Sequence, residues 1–140
     1  MAIESQGMYV FFSTTTSVAT GQIVEEVNSV SGPSGSASII DITHLQSTAK
    51  EKLIGLRDEG QISINVNFMA TAAYQTKIRE CRATRTACNI AIGFNDTAHS
   101  MAKCVCYVPS FNISAGVDAK LTADITFELT GAIAWSSYTP

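Results

Sequence analysis

This sequence has little charge and few of the signals that mark nucleic-acid or membrane proteins. Only 15% of its 140 residues are charged, and the net charge is −3 with no basic cluster. A surface that binds nucleic acid or an anionic membrane is therefore not expected. The chain has no apolar run of 18 residues, and its first residues do not resemble a secretory signal. We expect a soluble protein that is made in the cytoplasm.

Patterns that support catalysis are also missing. The cysteines have no C-x2-C spacing, so we interpret them as buried free thiols, with zinc or a disulfide as weaker alternatives. No glycine cluster leads into the Gly-Lys-Ser/Thr of a phosphate loop. His44 has Asp41 and Ser47 close in sequence, but three residues at one strand end rarely reach the geometry of a triad. We predict no enzymatic activity, no cofactor and no metal site.

The clearest pattern in the chain is strict alternation of apolar and polar residues. It runs through "QISINVNF" (61–68) and again through "LTADITFEL" (121–129), which predicts strands with one dry and one wet face. Shorter alternating runs in "CNIAIGF" and "KCVCYVPSFNIS" predict two more strands, and Pro109 should disturb the ladder of the second one. Half-buried strands of this kind indicate antiparallel sheets.

One segment has the spacing of a helix. In "TAAYQTKIRECR" the residues Ala73, Tyr74, Ile78 and Cys81 recur at helical intervals, and Thr71 is placed to cap the first amides. We predict a helix over about residues 71–83. The fold class is therefore mainly β: an antiparallel β-sandwich or barrel with one packed α-helix, in a single domain over residues 1–140.

The segment from His44 to Arg57 is mostly polar, shows no regular alternation, and lies between two well-formed strands. Leu53, Ile54 and Leu56 are apolar residues in an otherwise polar segment, which indicates either contact with another chain or a short helix folded back onto the core. Lys50, Glu51 and Lys52 are available to pair with charges on a neighbour. At the other end of the chain, "STTTS" offers little to bury, so we predict a flexible arm over residues 1–20.

The order of these parts resembles the major tail tube proteins of long-tailed, lambda-like phages. The resemblance rests on a strand leading into "SGP", then "IDITHL", then "GLRDEG" opening "ISINVNF", then a helix, and finally "DAKLTADITFELTGAIAW". It covers about Ile23 to Trp135. No single motif is diagnostic, and the resemblance lies in the sequence of parts.

The resemblance implies a structural virion protein that assembles into stacked, hexameric rings around a channel for DNA, which passes without specific binding. It implies partners at the tail tip, a tape measure protein and a tail terminator, and a location in the virion tail. Residues 44–57 become the assembly loop, with His44, Lys50, Glu51, Lys52, Leu53, Ile54, Leu56 and Arg57 as interface candidates. Asp124 and Glu128, on a wet strand face, become candidates for the channel wall.

Two alternatives remain open from the sequence. One is a monomeric β-sandwich binding module, although a single tryptophan, Trp135, is few for a carbohydrate-binding surface. The other is the tube protein of a contractile tail or of a type VI secretion system.

Overall fold

The computed structural model describes residue 2, residues 6–14 and residues 23–139. Within these residues the chain forms eight strands and one helix. The elements are β1 Tyr9–Ser13, β2 Val27–Ser31, β3 Ser36–Asp41, β4 Lys52–Asp58, β5 Gln61–Asn67, α1 Ala73–Thr84, β6 Cys88–Gly93, β7 Ser100–Ser114 and β8 Thr122–Ser137. The helix is too short and too polar to cross a membrane.

The strands form two antiparallel sheets. The larger sheet has the order β1-β6-β7-β8-β5-β2, and the smaller sheet is the pair β3-β4. The larger sheet curls, so that its two edge strands come near each other: the segment leading into β2 bridges back to β1, where Val24 N donates to Val10 O at 2.8 Å. This confirms the predicted mainly β fold with one helix.

The core lies inside the curl. The predicted dry faces supply it: Ile62, Ile64 and Val66 of β5 are buried together with the apolar residues of β8, which include Ile125 and Phe127. Alternation predicted these faces correctly because each strand is covered on one side only. Pro109 also acts as predicted, since the register of β7 against β8 shifts between Tyr107 and Ser110.

Strand β1 corrects the predicted N-terminal arm. Residues 9–13 pair with β6, and Val10, Phe11 and Phe12 are buried. Phe11 packs with Ala91 and Met101 in a second small cluster, so β1 is covered on both faces and shows no alternation. Residues 1, 3–5 and 15–20 of the predicted arm lie outside the described residues.

The helix begins two residues later than the predicted cap. Ala72, not Thr71, occupies the N-cap position, and no side chain caps the first turn. Ile78 and Cys81 are buried as predicted, whereas Ala73 is exposed and its predicted place in the apolar stripe is wrong. The third buried position of the helix is Gln75, a polar residue.

Gln75 joins three chain segments through its amide. Its Oε1 accepts from Met69 N at 2.9 Å, and its Nε2 donates to Asn67 O at 3.0 Å and to Glu25 O at 3.2 Å. The side chain therefore satisfies backbone groups at the end of β5 and in the turn before β2, while it is fully buried. These hydrogen bonds, together with apolar packing, fix the position of the helix against the sheet.

The four cysteines are buried free thiols. Cys88 and Cys106 are directly opposed on β6 and β7, and Cys81 reaches them from the helix. Burial raises the pKa of the Cys104 thiol to about 11 and that of Cys106 to about 12, and it raises the pKa of Cys88 as well. The raised pKa values keep the thiols of Cys88, Cys104 and Cys106 protonated at neutral pH, which makes them unreactive core residues.

Candidate assembly surfaces

The β3–β4 hairpin, residues 36–58, forms a sheet of its own, and β4 comes close to β8 of the main sheet. Its strands pair from Ser36↔Asp58 at the base to Asp41↔Lys52 near the tip, a ribbon about 20 Å long at ~3.3 Å per residue. Neither strand is part of the six-stranded sheet. A two-stranded ribbon in water is marginal on its own, and three or more strands or a packed face are usually needed for stability.

Both faces of the hairpin are apolar and uncovered. Ile39 and Ile40 are neighbours in one strand and Leu53 and Ile54 in the other, so each pair points to opposite faces, and all four side chains are exposed. Leu56 is 96% exposed. The complete set of exposed large apolar side chains in the hairpin is Ile39, Ile40, Ile42, Leu45, Leu53, Ile54 and Leu56. Such a surface is expected where another chain packs.

The tip of the hairpin is ordered by its own side chains. His44 Nε2 lies 3.4 Å from Glu51 Oε2, and Ser47 Oγ donates to the same oxygen at 2.8 Å. His44 Nδ1 accepts from Gln46 N at 3.3 Å. Because the Ser47 hydroxyl faces the carboxylate of Glu51 and not the imidazole, these residues do not form a nucleophile–base pair. The network shapes a turn.

The charges of the hairpin divide into engaged and free groups. Glu51 is held within the tip, and Arg57 Nε lies 3.7 Å from Glu59 Oε1. Lys50 and Lys52 make no ion pair or side-chain hydrogen bond with the residues that the structure describes. Of the charged interface candidates, only these two lysines have no partner in that part of the subunit.

The predicted loop over residues 44–57 is therefore only partly a loop. Lys52 to Asp58 form β4, and the alternative of a short helix folded back onto the core is wrong. Period-2 alternation did not reveal this strand because both of its faces carry apolar side chains. The structure brings Leu53, Ile54 and Leu56 of β4 close to Ile39 and Ile40 of β3, and only strand pairing places these two groups together.

The second surface is the wet face of the main sheet. Strand pairing sets Asp124 opposite Asn65 and Glu128 opposite Gln61. Asn65 Nδ2 donates to Asp124 Oδ1 at 2.6 Å, and Gln61 Nε2 donates to Glu128 Oε2 at 2.7 Å. Each predicted acid is thus fixed by a neutral amide on the adjacent strand.

The amide ladder continues across the sheet to β2. Asn28 Nδ2 donates to Asn65 Oδ1 at 3.0 Å and to Asn67 Oδ1 at 2.9 Å, and Asn28 Oδ1 accepts from Lys120 Nζ at 3.2 Å. Neither Asp124 nor Glu128 has a salt-bridge partner among the described residues. The face is polar, internally hydrogen-bonded and acidic along β8. Sequence alternation found the acids, but only strand register reveals Gln61 and Asn65 as their partners and Asn28 as the partner of Asn65.

Metal binding receives no support from the geometry. Among residues 6–14 and 23–139, no three His, Cys, Asp or Glu side chains converge as metal ligands would. The hairpin is an exposed apolar surface, and the wet face is a hydrogen-bonded polar surface.

A curled antiparallel sheet with an exposed apolar ribbon is typical of a structural subunit that assembles with other chains. A model of the family "Phage tail tube, TTP, lambda-like" matches residues 1–105. The chain belongs to this family, and its role is structural: it is a tube-forming protein of the phage tail.

Solved structures share the fold at low sequence identity. A chain from the hybrid structure of the SPP1 tail tube aligns with a TM-score of 0.71 and 11% identity, over 99% of this chain and 81% of that chain. A chain from the virion of a native gene transfer agent particle gives 0.76 and 15%, over 97% and 100%. A chain from the sheath–tube complex of an extracellular contractile injection system gives 0.71 and 14%, over 97% and 92%. No curated protein matches the sequence.

Proposed function

We propose that this protein forms hexameric rings that stack into the hollow tail tube, through which DNA leaves the capsid. The observation that carries the proposal is the hairpin, whose two apolar faces are uncovered in the isolated subunit. Burying one leucine or isoleucine side chain contributes about 1.5–3 kcal/mol, so several of them per subunit supply the cohesion of a tube. Lys50 and Lys52 contribute more to the alignment of neighbouring subunits than to the free energy of their association.

The wet face of the main sheet is our candidate for the channel wall. DNA in transit requires a wall that does not bind phosphate, and attractive basic side chains would retain the polymer. The carboxylates of Asp124 and Glu128 repel phosphate. The side-chain amides of Asn65 and Gln61 already donate hydrogen bonds to these carboxylates. The surface can therefore be wetted by water without offering free cations to the DNA.

The proposal includes the remaining tail components. The family places the subunit in the phage tail, and we propose contacts with a tail tip initiator, a tape measure protein and a tail terminator, after synthesis in the host cytoplasm. We assign no catalytic step to the chain. The family model favours a non-contractile tube, although the fold is shared with a contractile injection system.

Negative-stain electron microscopy of the purified protein tests the proposal. The protein is imaged at high concentration, alone and after addition of a matching tail-tip extract, because ordering of the hairpin on a neighbour can require a nucleus. Hollow tubes with regular striations are the expected result. Compact single particles in both samples would reject tube formation and favour the monomeric binding module.

Charge reversal on the wet face tests the channel wall. Asp124→Lys with Glu128→Lys changes the charge by about +24 in a ring of six subunits. We expect tubes of normal appearance and DNA ejection slowed about tenfold or more, because cationic walls hold phosphate. The readout is the rate of DNA release from reconstituted virions, measured with a dye that fluoresces on DNA.

Glu80→Lys, which changes the charge of such a ring by about +12, is the control for charge reversal elsewhere, since Glu80 is exposed on α1 and the buried residues Ile78 and Cys81 of this helix pack in the core on the dry side of the sheet. It should leave ejection unchanged. If the wet-face variant ejects DNA at the normal rate, Asp124 and Glu128 do not line the channel.

A further inference from the structure

His44 is the centre of the hairpin tip, the turn of residues 42–51 that joins β3 to β4. Its backbone N donates to Ser47 Oγ at 3.2 Å, and its backbone O accepts from Ser47 N at 2.9 Å. Its imidazole makes two more contacts, with Gln46 through Nδ1 and with Glu51 through Nε2. The turn therefore depends on a side chain of the type whose charge ordinarily changes between pH 5 and 8.

The two contacts of the imidazole require its neutral form. Nδ1 accepts a hydrogen bond from Gln46 N at 3.3 Å, so this nitrogen carries no proton. The proton of the neutral ring is then on Nε2, which lies 3.4 Å from Glu51 Oε2. The hydrogen-bond partners thus assign the tautomer of His44.

Protonation of His44 is incompatible with the contact to Gln46. An imidazolium carries a proton on each nitrogen, so Nδ1 no longer accepts from Gln46 N. The contact between Nε2 and Glu51 is instead strengthened, because it becomes an ion pair of imidazolium and carboxylate. Protonation therefore removes a hydrogen bond that orders the turn, while the ring stays attached to Glu51.

The other charged groups near the ring leave His44 as the group that responds to pH. The charged residues in and beside the tip are Glu51, Asp41, Lys50 and Lys52. Hydrogen bonds from the side chain and the backbone of Thr43 lower the pKa of Asp41, so this carboxylate stays ionised between pH 5 and 8. Among the described residues, Glu51 supplies the acid in contact with the imidazole.

The hydrogen bond between Gln46 and His44 spans the apex of the hairpin. Leu45 lies between the two bonded residues, and its side chain is fully exposed. In the proposed assembly, burial of this leucine contributes to cohesion. Without the Gln46 bond, the apex must be ordered on binding at a cost in conformational entropy, which weakens association.

We propose that His44 is a pH-dependent switch of the hairpin tip. The neutral ring orders the turn that presents Leu45, and the imidazolium releases Gln46 and loosens the apex. This inference rests on the proposed tube function, in which the hairpin packs against another chain. Tube formation then weakens as the pH falls from about 7.5 to about 5.5.

NMR spectra of the subunit, below the concentration at which tubes form, test the switch directly. The amide signal of Gln46 is expected to move upfield between about pH 7.5 and 5.5 as its acceptor is lost, in step with the imidazole signals of His44. At the higher pH the ¹⁵N signals of the ring should show the Nε2–H tautomer. A Gln46 signal that is independent of pH, or a ring with its proton on Nδ1, would overturn the inference.

His44→Asn separates the turn from the titration. Asparagine offers an oxygen acceptor to the amide two residues further on, and it does not titrate. This variant should keep the turn and lose the pH response of Gln46. His99→Asn is the matched control, because it makes the same substitution at the second histidine, whose positive φ asparagine tolerates. It should leave the pH response of Gln46 unchanged.

Tube formation in the presence of the tail-tip extract gives the functional readout. The unchanged chain and His99→Asn are expected to need at least about threefold more protein at pH 5.5 than at pH 7.5, because one hydrogen bond of the turn is lost. His44→Asn should need the same concentration at both pH values.

The outcomes separate this inference from the proposed function. If no chain forms tubes at pH 7.5, the proposed function fails, and the Gln46 signal still decides whether the tip switches. If tubes form equally well at both pH values, the switch does not control assembly and the inference is overturned. If His44→Asn keeps the pH dependence of tube formation, another group is the sensor and the inference is overturned as well.

Discussion

Leu53→Asp with Ile54→Asp is expected to abolish tube formation at concentrations where the unchanged chain assembles, while the folded subunit keeps its stability. Both side chains are exposed in the subunit, so their replacement removes little from the monomer core. In the tube they are proposed to be buried. Loss of two apolar contacts of about 1.5 kcal/mol each raises the required concentration at least about a hundredfold. Sedimentation of nucleated tubes measures the protein concentration that tube formation requires.

A milder pair of substitutions distinguishes lost contact from a melted hairpin. Leu53→Thr with Ile54→Thr keeps strand propensity and removes most apolar area, so it should weaken assembly by a smaller factor. Thermal melting of both variants should stay within about 2 °C of the unchanged chain, since exposed substitutions usually change stability by less than 0.5 kcal/mol. Ala83→Asp, on the exposed side of α1, should assemble normally. Normal tubes from the Asp variant would remove the hairpin from the interface.

Gln75→Leu is expected to destabilise the subunit by about 3 kcal/mol or more. The leucine fills much of the same volume, but Met69 N, Asn67 O and Glu25 O lose the partners that the amide supplies. A buried polar group left without a partner costs about 1–3 kcal/mol. Chemical unfolding in urea measures the free energy, and the melting temperature should fall by roughly 10 °C for a chain of this length.

Lys77→Leu is the matched control for Gln75→Leu. It introduces the same side chain two positions later on the same helix, at an exposed site, and should change the free energy of unfolding by about 0.5 kcal/mol or less. Equal stability of the two leucine variants would show that the amide of Gln75 contributes no net stability. A loss confined to Gln75→Leu would identify it as a polar clamp between the helix and the sheet.

The strands with one covered face were predictable from the sequence. In residues 61–67 and 122–129 each buried residue alternates with a wet neighbour, so the local pattern carries the information about burial. Strand β1 lacked this signal because Phe11 and Phe12 are buried on opposite sides, and the polar residues that follow suggested an arm. The helix was found from its apolar spacing, but its cap at Ala72 was not, since no side chain caps it.

The sequence by itself determined the fold class, the helix and the wet and dry faces of its regular strands, because these depend on residues close in the chain. Only the tertiary structure decided that residues 52–58 form a strand, that Gln75 is buried, and that amides partner Asp124 and Glu128. Each of these depends on segments far apart in sequence, such as Asn65 beside Asp124, and register between distant strands is set by the packed core as a whole.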